Sequence, residues 1–475
     1  MTTCIYWHRN DLRIHDNECL HRCVQDYDLV IPLYIVDPHH YRVVKAGFMK
    51  SGIIRYRYLC DTISVLRDSY QKLGGQLFIR RGNSATVIKK LLGMHKVDAI
   101  IYQTEVASEE VKEEQEVRNV AEKYNCKIEN IWGKTLYHLD DIPYKAETIP
   151  LTSKTFRINT SKATKPRELI ATPKSITTPE GLNAGVMPSD HEMGYSEEEI
   201  NSNSRSPHPA GEVAALKRLN YYSFETQLLT SYKWTRNKSL GMDYSSKLSP
   251  YLALGSISPR QIYHEIKRYE QEIKRNISTW WLVFEVVWRD YFIFKTLRIG
   301  SSLFYAQGFK HKKIAWSYDK ELFKRWKEGN TGIPFLDAHQ VELSSTGFMS
   351  NRGRVNSASF FTRDYKLDWR WGAAWFEHCL IDYDVYANWM NWHTQAFEIY
   401  YTNPVHQAMK YDKDGKYTLS WLPDLAKMDH SDFHAPWLYS DLQLREMGIT
   451  TYRRPVEIYK KWGRAINNIT KVRIQ

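Results

Sequence analysis

Between Thr346 and Trp392 the chain gathers side chains that a packed interior would not select for itself. Arg354 is followed by Asp368-Trp369-Arg370, then by Asp382-Tyr383-Asp384, then by a lone carboxamide, Asn388, ahead of Trp389 and Trp392. Buried ions are tolerated only when paired and hydrogen-bonded, so a core has no use for this polar set. A bound aromatic group that also carries hydroxyls and phosphates has a use for all of it. Upstream, Tyr232-Lys233-Trp234-Thr235-Arg236 and the string Ser245, Ser246, Lys247, Leu248 and Ser249 precede a helix start. Hydroxyls and backbone amides in such a place suit a pyrophosphate. A capping cluster would explain one or two of these residues, but not the whole string.

The elements that must position these groups fall into two patterns. Up to Trp132, short β-branched runs alternate with longer amphipathic segments. The spacing predicts strands at Cys4–Trp7, Leu29–Val36, Gln76–Ile79, Ala99–Tyr102 and Lys127–Ile131, with helices at Ile53–Leu73, Ser84–Leu92 and Ser108–Tyr124. Strands alternating with helices imply a doubly wound parallel sheet, an α/β domain over residues 1–140. No G-x-G-x-x-G follows the first strand; Arg9-Asn10-Asp11-Leu12-Arg13 stands there, against an ordinary dinucleotide fingerprint. Residues 141–210 lose periodicity and gather Ser, Thr, Pro and Asn, which marks a linker laid over the surface. From 211 to 475 the pattern is all-helical, with Ser357–Asp364 and Trp371–Leu380 among the expected helices and a short basic tail from Tyr452.

At 475 residues two domains are expected. The net charge of +12 favours a polyanionic partner. The 16 Trp and 32 Tyr fit either a large aromatic core or stacking and redox-active rings. Cys4, Cys19, Cys23, Cys60, Cys126 and Cys379 lack a second pair at zinc spacing, so reduced thiols, no metal and an intracellular compartment, cytoplasm or nucleus, are expected. No apolar run is long enough to span a membrane. Met1 leads at once into the first strand, so no amino-terminal targeting peptide is expected.

Taken in order, these motifs resemble the photolyase/cryptochrome family over nearly the whole chain. Tyr244 to Pro250, together with Gly133-Lys134-Thr135-Leu136-Tyr137-His138-Leu139-Asp140-Asp141, resembles its DASH branch. The resemblance implies flavin adenine dinucleotide (FAD), contacted by Tyr232, Ser245, Ser246, Lys247, Leu248 and Ser249, with Arg354 and Asp382 as paired ions beside the ring and Asp384 nearby. It places Asn388 opposite the flavin N5, where a carboxamide can hydrogen-bond but cannot transfer a proton. It aligns Trp392, Trp369 and Trp316 with an electron-hopping triad, core packing being the other reading of three tryptophans. The segment from Trp280 to Asp290 resembles the family's lesion-facing helix, with Glu285 on a base edge, Trp288 stacked on a flipped pyrimidine pair, and Arg236 and Asn351 beside them. Glu109 is the candidate contact for a folate antenna, 5,10-methenyltetrahydrofolate; the alternative is a helix start capped by Ser108 with acidic residues on the dipole.

One stretch departs from the family pattern. Trp392 is followed by His393-Thr394-Gln395-Ala396-Phe397, a shorter segment in which Thr394 stands in place of an aromatic and the glycines are missing. Val355 replaces an amide. The expected function is light-driven repair of cyclobutane pyrimidine dimers in single-stranded DNA by a monomeric flavoprotein, with RNA as a further candidate partner. The alternatives are a non-repairing blue-light receptor and a DNA- or RNA-binding flavoprotein. Asn388 and Glu285 favour repair, whereas the shortened segment favours a receptor.

Overall fold

The computed structural model describes residues 1–202, 204–428 and 432–474. Five strands, β1 (Thr3–His8), β2 (Leu29–Val36), β3 (Phe78–Arg81), β4 (Ala99–Gln103) and β5 (Lys127–Ile131), form one parallel sheet in the order β3-β2-β1-β4-β5. The central strand β1 is buried along its whole length, and Ile5 lies in register with Ile31 on one side and Ile100 on the other. Such continuous burial is what a parallel sheet covered on both faces demands. Helices α1 (Glu18–Asp26), α2 (Ile53–Lys72), α3 (Ser84–Met94) and α4 (Ser108–Lys123) provide that cover. The order of the strands reverses between β1 and β4, the place where open parallel sheets take ligands beyond the carboxyl ends of their strands.

No strand follows Ile131 among the described residues, so the chain is α/β at its amino-terminal end and helical thereafter, as expected. The stretch read as an aperiodic linker contains a helix, α5 (Ser153–Ala163). Only Phe156 and Thr160 of α5 are buried, too few for its period to show in sequence. The helices that carry candidate site residues are α6 (Ile277–Ile299), α7 (Asn351–Arg363), α8 (Trp369–Cys379) and α9 (Val385–Phe397). The basic tail ends in α10 (Gly463–Ile474). Helix α7 begins six residues before the expected start, because Ser350 accepts the Gly353 N–H at 3.1 Å and caps a polar first turn.

Contacts divide the chain into two units: 1–233 with 246–303 and 382–387, and 234–245 with 304–381 and 388–475. The six cysteines are all free thiols. Among the described residues no helix is long and apolar enough to cross a membrane, and no cluster of His, Cys, Asp and Glu is placed to hold a metal ion.

Candidate functional site

In the first unit, the string after Ser245 makes a tight turn. Ser246, Lys247 and Leu248 are buried, and Lys247 takes a positive φ of 57° although it is not glycine. Such a turn exposes successive backbone amides as an anion-binding nest. The Ser246 carbonyl is held by Arg218 Nε at 3.0 Å. Ser249 begins a short helix and is exposed, whereas Tyr232 is buried. Asp382 is also buried in this unit.

Asp384 turns out to be a structural hub. Its Oδ1 accepts the N–H groups of Tyr386 and Ala387, both at 3.0 Å, which caps the first turn of α9. Its Oδ2 takes Arg289 Nη2 at 3.0 Å. Arg289 in turn donates to the Lys134 carbonyl at 2.8 Å, and Lys134 Nζ reaches Glu105 at 2.7 Å. Tyr386 donates its hydroxyl proton to Glu105 as well, at 2.6 Å. The Gly133–Asp141 stretch is thereby tied to α6 and to the first turn of α9, and Asp290 fastens it further by accepting the N–H groups of Leu136 and Tyr137 at 3.0 Å each. Burial pushes the Asp290 carboxyl up to about 7.

Burial would also raise the pKa of Asp384, but Arg289, then Lys134, and the two helix N–H groups outweigh it and hold the carboxyl low. A depressed folded pKa means that the stabilisation is complete at neutral pH and is lost as the pH falls below the ordinary 3.8. Replacing Asp384 by Ala leaves a buried guanidinium without its partner, so the expected loss is about 3–5 kcal/mol, with release of bound flavin. Asp384→Asn keeps an acceptor for the cap and should lose about 1 kcal/mol less. Thermal unfolding followed by flavin fluorescence checks both values.

On α6, Glu285 accepts the Trp281 indole N–H at 3.0 Å, and Phe284 packs on Trp288 with ring centres 5.8 Å apart. Arg157, from α5, lies 4.2 Å from the Phe284 ring centre and 5.8 Å from that of Trp288. The sequence assigns Arg157 and Arg289 no specific role, although Thr155-Phe156-Arg157 resembles an element of the family and Arg289 directly follows Trp288 in the helix motif. Glu109 lies in the first turn of α4, bonded to Arg42 at 2.8 Å and to Lys50. Burial opposes the charge, but Lys50 first and then Arg42 lower the Glu109 carboxyl to about 2. The residue at the N-cap is Ala107, which makes no side-chain cap bond, so Ser108 is the first residue of the helix and not its cap.

In the second unit, Arg354 donates Nε to the Met349 carbonyl at 2.9 Å, with its guanidinium 5.4 Å from the Phe348 ring centre. Asn351 Nδ2 reaches Asn237 Oδ1 at 3.4 Å, which brings Asn351 to the segment that carries Arg236. Arg352 donates to the same oxygen at 3.0 Å. Asn388 donates Nδ2 to the Ala373 carbonyl at 3.0 Å. One helical turn on, Trp392 lies so close to Gly372 that a Cβ there would meet its ring at 2.1 Å. Asn388 and Trp392 therefore share the face of α9 that packs on α8. Trp369 is fully buried at the start of α8, and its indole N–H donates to the Ala306 carbonyl at 3.2 Å. Trp316 donates to that same carbonyl at 3.0 Å and is only half-buried. Phe397 packs edge-on to both indoles, with ring centres 6.1 and 5.9 Å away. Trp392 is 2% exposed and its indole N–H has no partner among the described residues.

A parallel sheet followed by a helical region with these aromatic and ionic groups is the architecture of the photolyase/cryptochrome flavoproteins. Residues 281–470 match the FAD binding domain of DNA photolyase, and residues 4–174 match the DNA photolyase domain. Cryptochrome DASH of Danio rerio is 40% identical over 473 residues, covering 97% of this chain and 91% of the relative. Cryptochrome DASH of Natronomonas pharaonis is 40% identical over 464 residues, covering 96% and 98%. The solved cryptochrome of Synechocystis sp. PCC6803 superposes with a TM-score of 0.90 at 36% identity, over 99% of this chain and 98% of that one. The chain belongs to the photolyase/cryptochrome family, as a DASH-type cryptochrome. It is thus an FAD flavoprotein, and the buried amide turn at Lys247 suits that cofactor's phosphates.

Proposed function

We propose that this protein uses blue light to split cyclobutane pyrimidine dimers, preferentially in single-stranded DNA. The observation that carries the reading is that Trp392 and Trp369 are both buried while Trp316 reaches partial exposure, with Trp369 and Trp316 donating to one carbonyl. A purely packing role does not call for a half-buried member at the end of that series. Bound FAD supplies light absorption and one-electron chemistry. Tyr232 and Ser245 to Ser249 hold the pyrophosphate and ribityl groups, and Arg354 and Asp382 are the charged groups that the resemblance assigns to the ring. Asn388 presents a carboxamide that hydrogen-bonds without acting as an acid. Trp316, Trp369 and Trp392 carry an electron inward from the surface. Glu285 and Trp288, with Arg236 and Asn351, receive an extruded dimer, and unpaired strands avoid an unstacking cost of roughly a few kcal/mol. Glu109 is the contact for a folate antenna.

A photoreceptor reading has one observation of its own. The segment after Trp392 is linked to the turn that precedes α10 through the Trp462 indole N–H, which donates to the Tyr401 hydroxyl at 2.7 Å. Photorepair of a dimer-containing oligonucleotide, compared in single and double strands, separates the two. Repair of the single strand is expected, and an inert single strand with fully reduced flavin would sink the proposal.

Lys and Arg contacts to phosphate release counterions, so binding should weaken with salt. Two contacts to a single strand give a slope near −1.4, or roughly a seven-fold loss between 50 and 200 mM. Fluorescence anisotropy at the two salt concentrations measures it, and an unchanged affinity refutes a phosphate-led mode.

A further inference from the structure

Helix α6 carries more aromatic surface than an extruded dimer requires. Trp280, Trp281, Phe284 and Trp288 form an unbroken ladder along one side of it. Ring centres lie 5.2 Å apart for Trp280 and Phe284, 5.3 Å for Trp281 and Phe284, and 5.8 Å for Phe284 and Trp288. Trp280 is 51% exposed, and the other three are partly exposed. Large aromatic rings are costly to leave in water, and three indoles and a phenyl ring in contact along one helix mark an interaction surface.

The surrounding charge identifies the kind of partner. Arg157 lies over Phe284 and Trp288, and Lys233 Nζ is 5.1 Å from the Trp281 ring centre. Helix α5, which contributes Arg157, also carries exposed Lys154 and Lys162 and has no acidic residue. Between Ile277 and Trp288 the only carboxylate is Glu285, which accepts the Trp281 N–H. Rings interleaved with cations are the pattern that takes unpaired bases and their phosphates together. The nine residues from Trp280 to Trp288 span about 12 Å of helix, eight steps of about 1.5 Å each. That is room for three to four nucleotides at about 3.4 Å per step.

We infer that the Trp280–Trp281–Phe284–Trp288 ladder, with Arg157 and Lys233, is a stacking track for the single-stranded DNA that flanks the Trp288 position. The inference rests on the DNA reading above and extends it from a lesion pocket to a strand-binding surface. The track reads no sequence, because every base offers a ring face. A duplex, whose bases are already stacked on one another, does not engage it.

The test uses the flavin-loaded full chain in the dark with undamaged, fluorescein-labelled dT2 and dT8. In the parent, dT8 is expected to bind much more tightly than dT2. Trp280→Ala should lower dT8 affinity about ten- to a hundred-fold, one stacked base, while leaving dT2 within about two-fold. Trp280→Phe should restore most of the loss. Because Trp280 is half exposed, circular dichroism and flavin absorption should match the parent in both variants. Equal dT8 affinity in parent and Trp280→Ala overturns the track, and so does an equal loss for dT2 and dT8. Tighter binding of oligo-rU than oligo-dT, with the same dependence on Trp280, overturns its assignment to DNA. Photorepair of a dimer-containing dT8 is run on the same samples. Failed repair beside Trp280-dependent binding supports the track and removes only the repair reading, whereas repair without any length dependence sinks the track.

Discussion

In Trp392→Phe, illumination with an external thiol leaves the bound flavin oxidised, with photoreduction slowed by more than about a hundred-fold. Each factor of ten corresponds to about 1.4 kcal/mol of added barrier, and phenylalanine is much harder to oxidise than an indole. The fold should survive the change. Trp392 packs edge-on against Phe376 and Phe361, with ring centres 5.1 and 5.5 Å away, and a six-membered ring keeps most of those contacts. Its indole N–H has no partner among the described residues, so no hydrogen bond seen there is sacrificed by removing it. The remaining cost is a small cavity beside Gly372, worth about 1–3 kcal/mol. Trp326→Phe is the matched control. Trp326 is equally buried, touches Trp392 at 6.0 Å, and donates its N–H to the Ser357 carbonyl at 3.3 Å. It should cost at least as much stability and leave photoreduction near the parental rate. Flavin absorbance followed under steady blue light decides the matter. Parental rates in Trp392→Phe, or equal slowing in both variants, would show that Trp392 acts through packing.

The strands were legible because a buried parallel sheet leaves continuous β-branched runs: Leu29–Val36 and Lys127–Ile131 fall where the residue pattern put them. Elements that bury few residues were not. Helix α1 is short and buries only Cys19, Leu20 and Cys23, and α5 hides its period behind two buried side chains. The polar first turn of α7, Asn351-Arg352-Gly353-Arg354, reads as a loop until the Ser350 cap is seen. Within the candidate site, residue types were legible and partnerships were not. Asp384 stood out as a carboxylate without a core role, yet its partner Arg289 lies 95 residues earlier, and no spacing rule spans that distance. Arg157 is further still from Phe284 in sequence, and only the packing of α5 on α6 brings them together.

The shortened segment after Trp392 should make repair measurable but weak, and an aromatic ring at position 394 should improve it. Helix α9 continues through Thr394 to Phe397, and the Thr394 carbonyl accepts the N–H groups of Glu398 and Ile399 at 2.9 and 3.1 Å. The turn is then fastened from outside. Arg363 Nη2 donates to the carbonyls of Gln395 and Ile399, both at 3.2 Å, and the Tyr401 hydroxyl donates to Asp364 at 3.0 Å. These bonds involve the backbone of the segment or side chains other than Thr394. Thr394→Tyr and Thr394→Trp therefore change one half-buried side chain on a fixed frame. In the proposed reading this position borders the substrate, where the family pattern has an aromatic residue and this chain has Thr394. One missing stacking contact is worth about 1–3 kcal/mol, or roughly ten- to a hundred-fold in affinity. A loosely held dimer also loses the van der Waals proximity that electron transfer requires, so yield should fall together with affinity. Repair yield per absorbed photon, measured at saturating and subsaturating oligonucleotide, separates the two effects. Both variants should gain at subsaturating substrate, with Thr394→Trp gaining more because its ring is larger. If the parent already repairs efficiently and both variants are worse, the missing wall is supplied by another residue, and Thr394 lines a cavity already matched to its substrate.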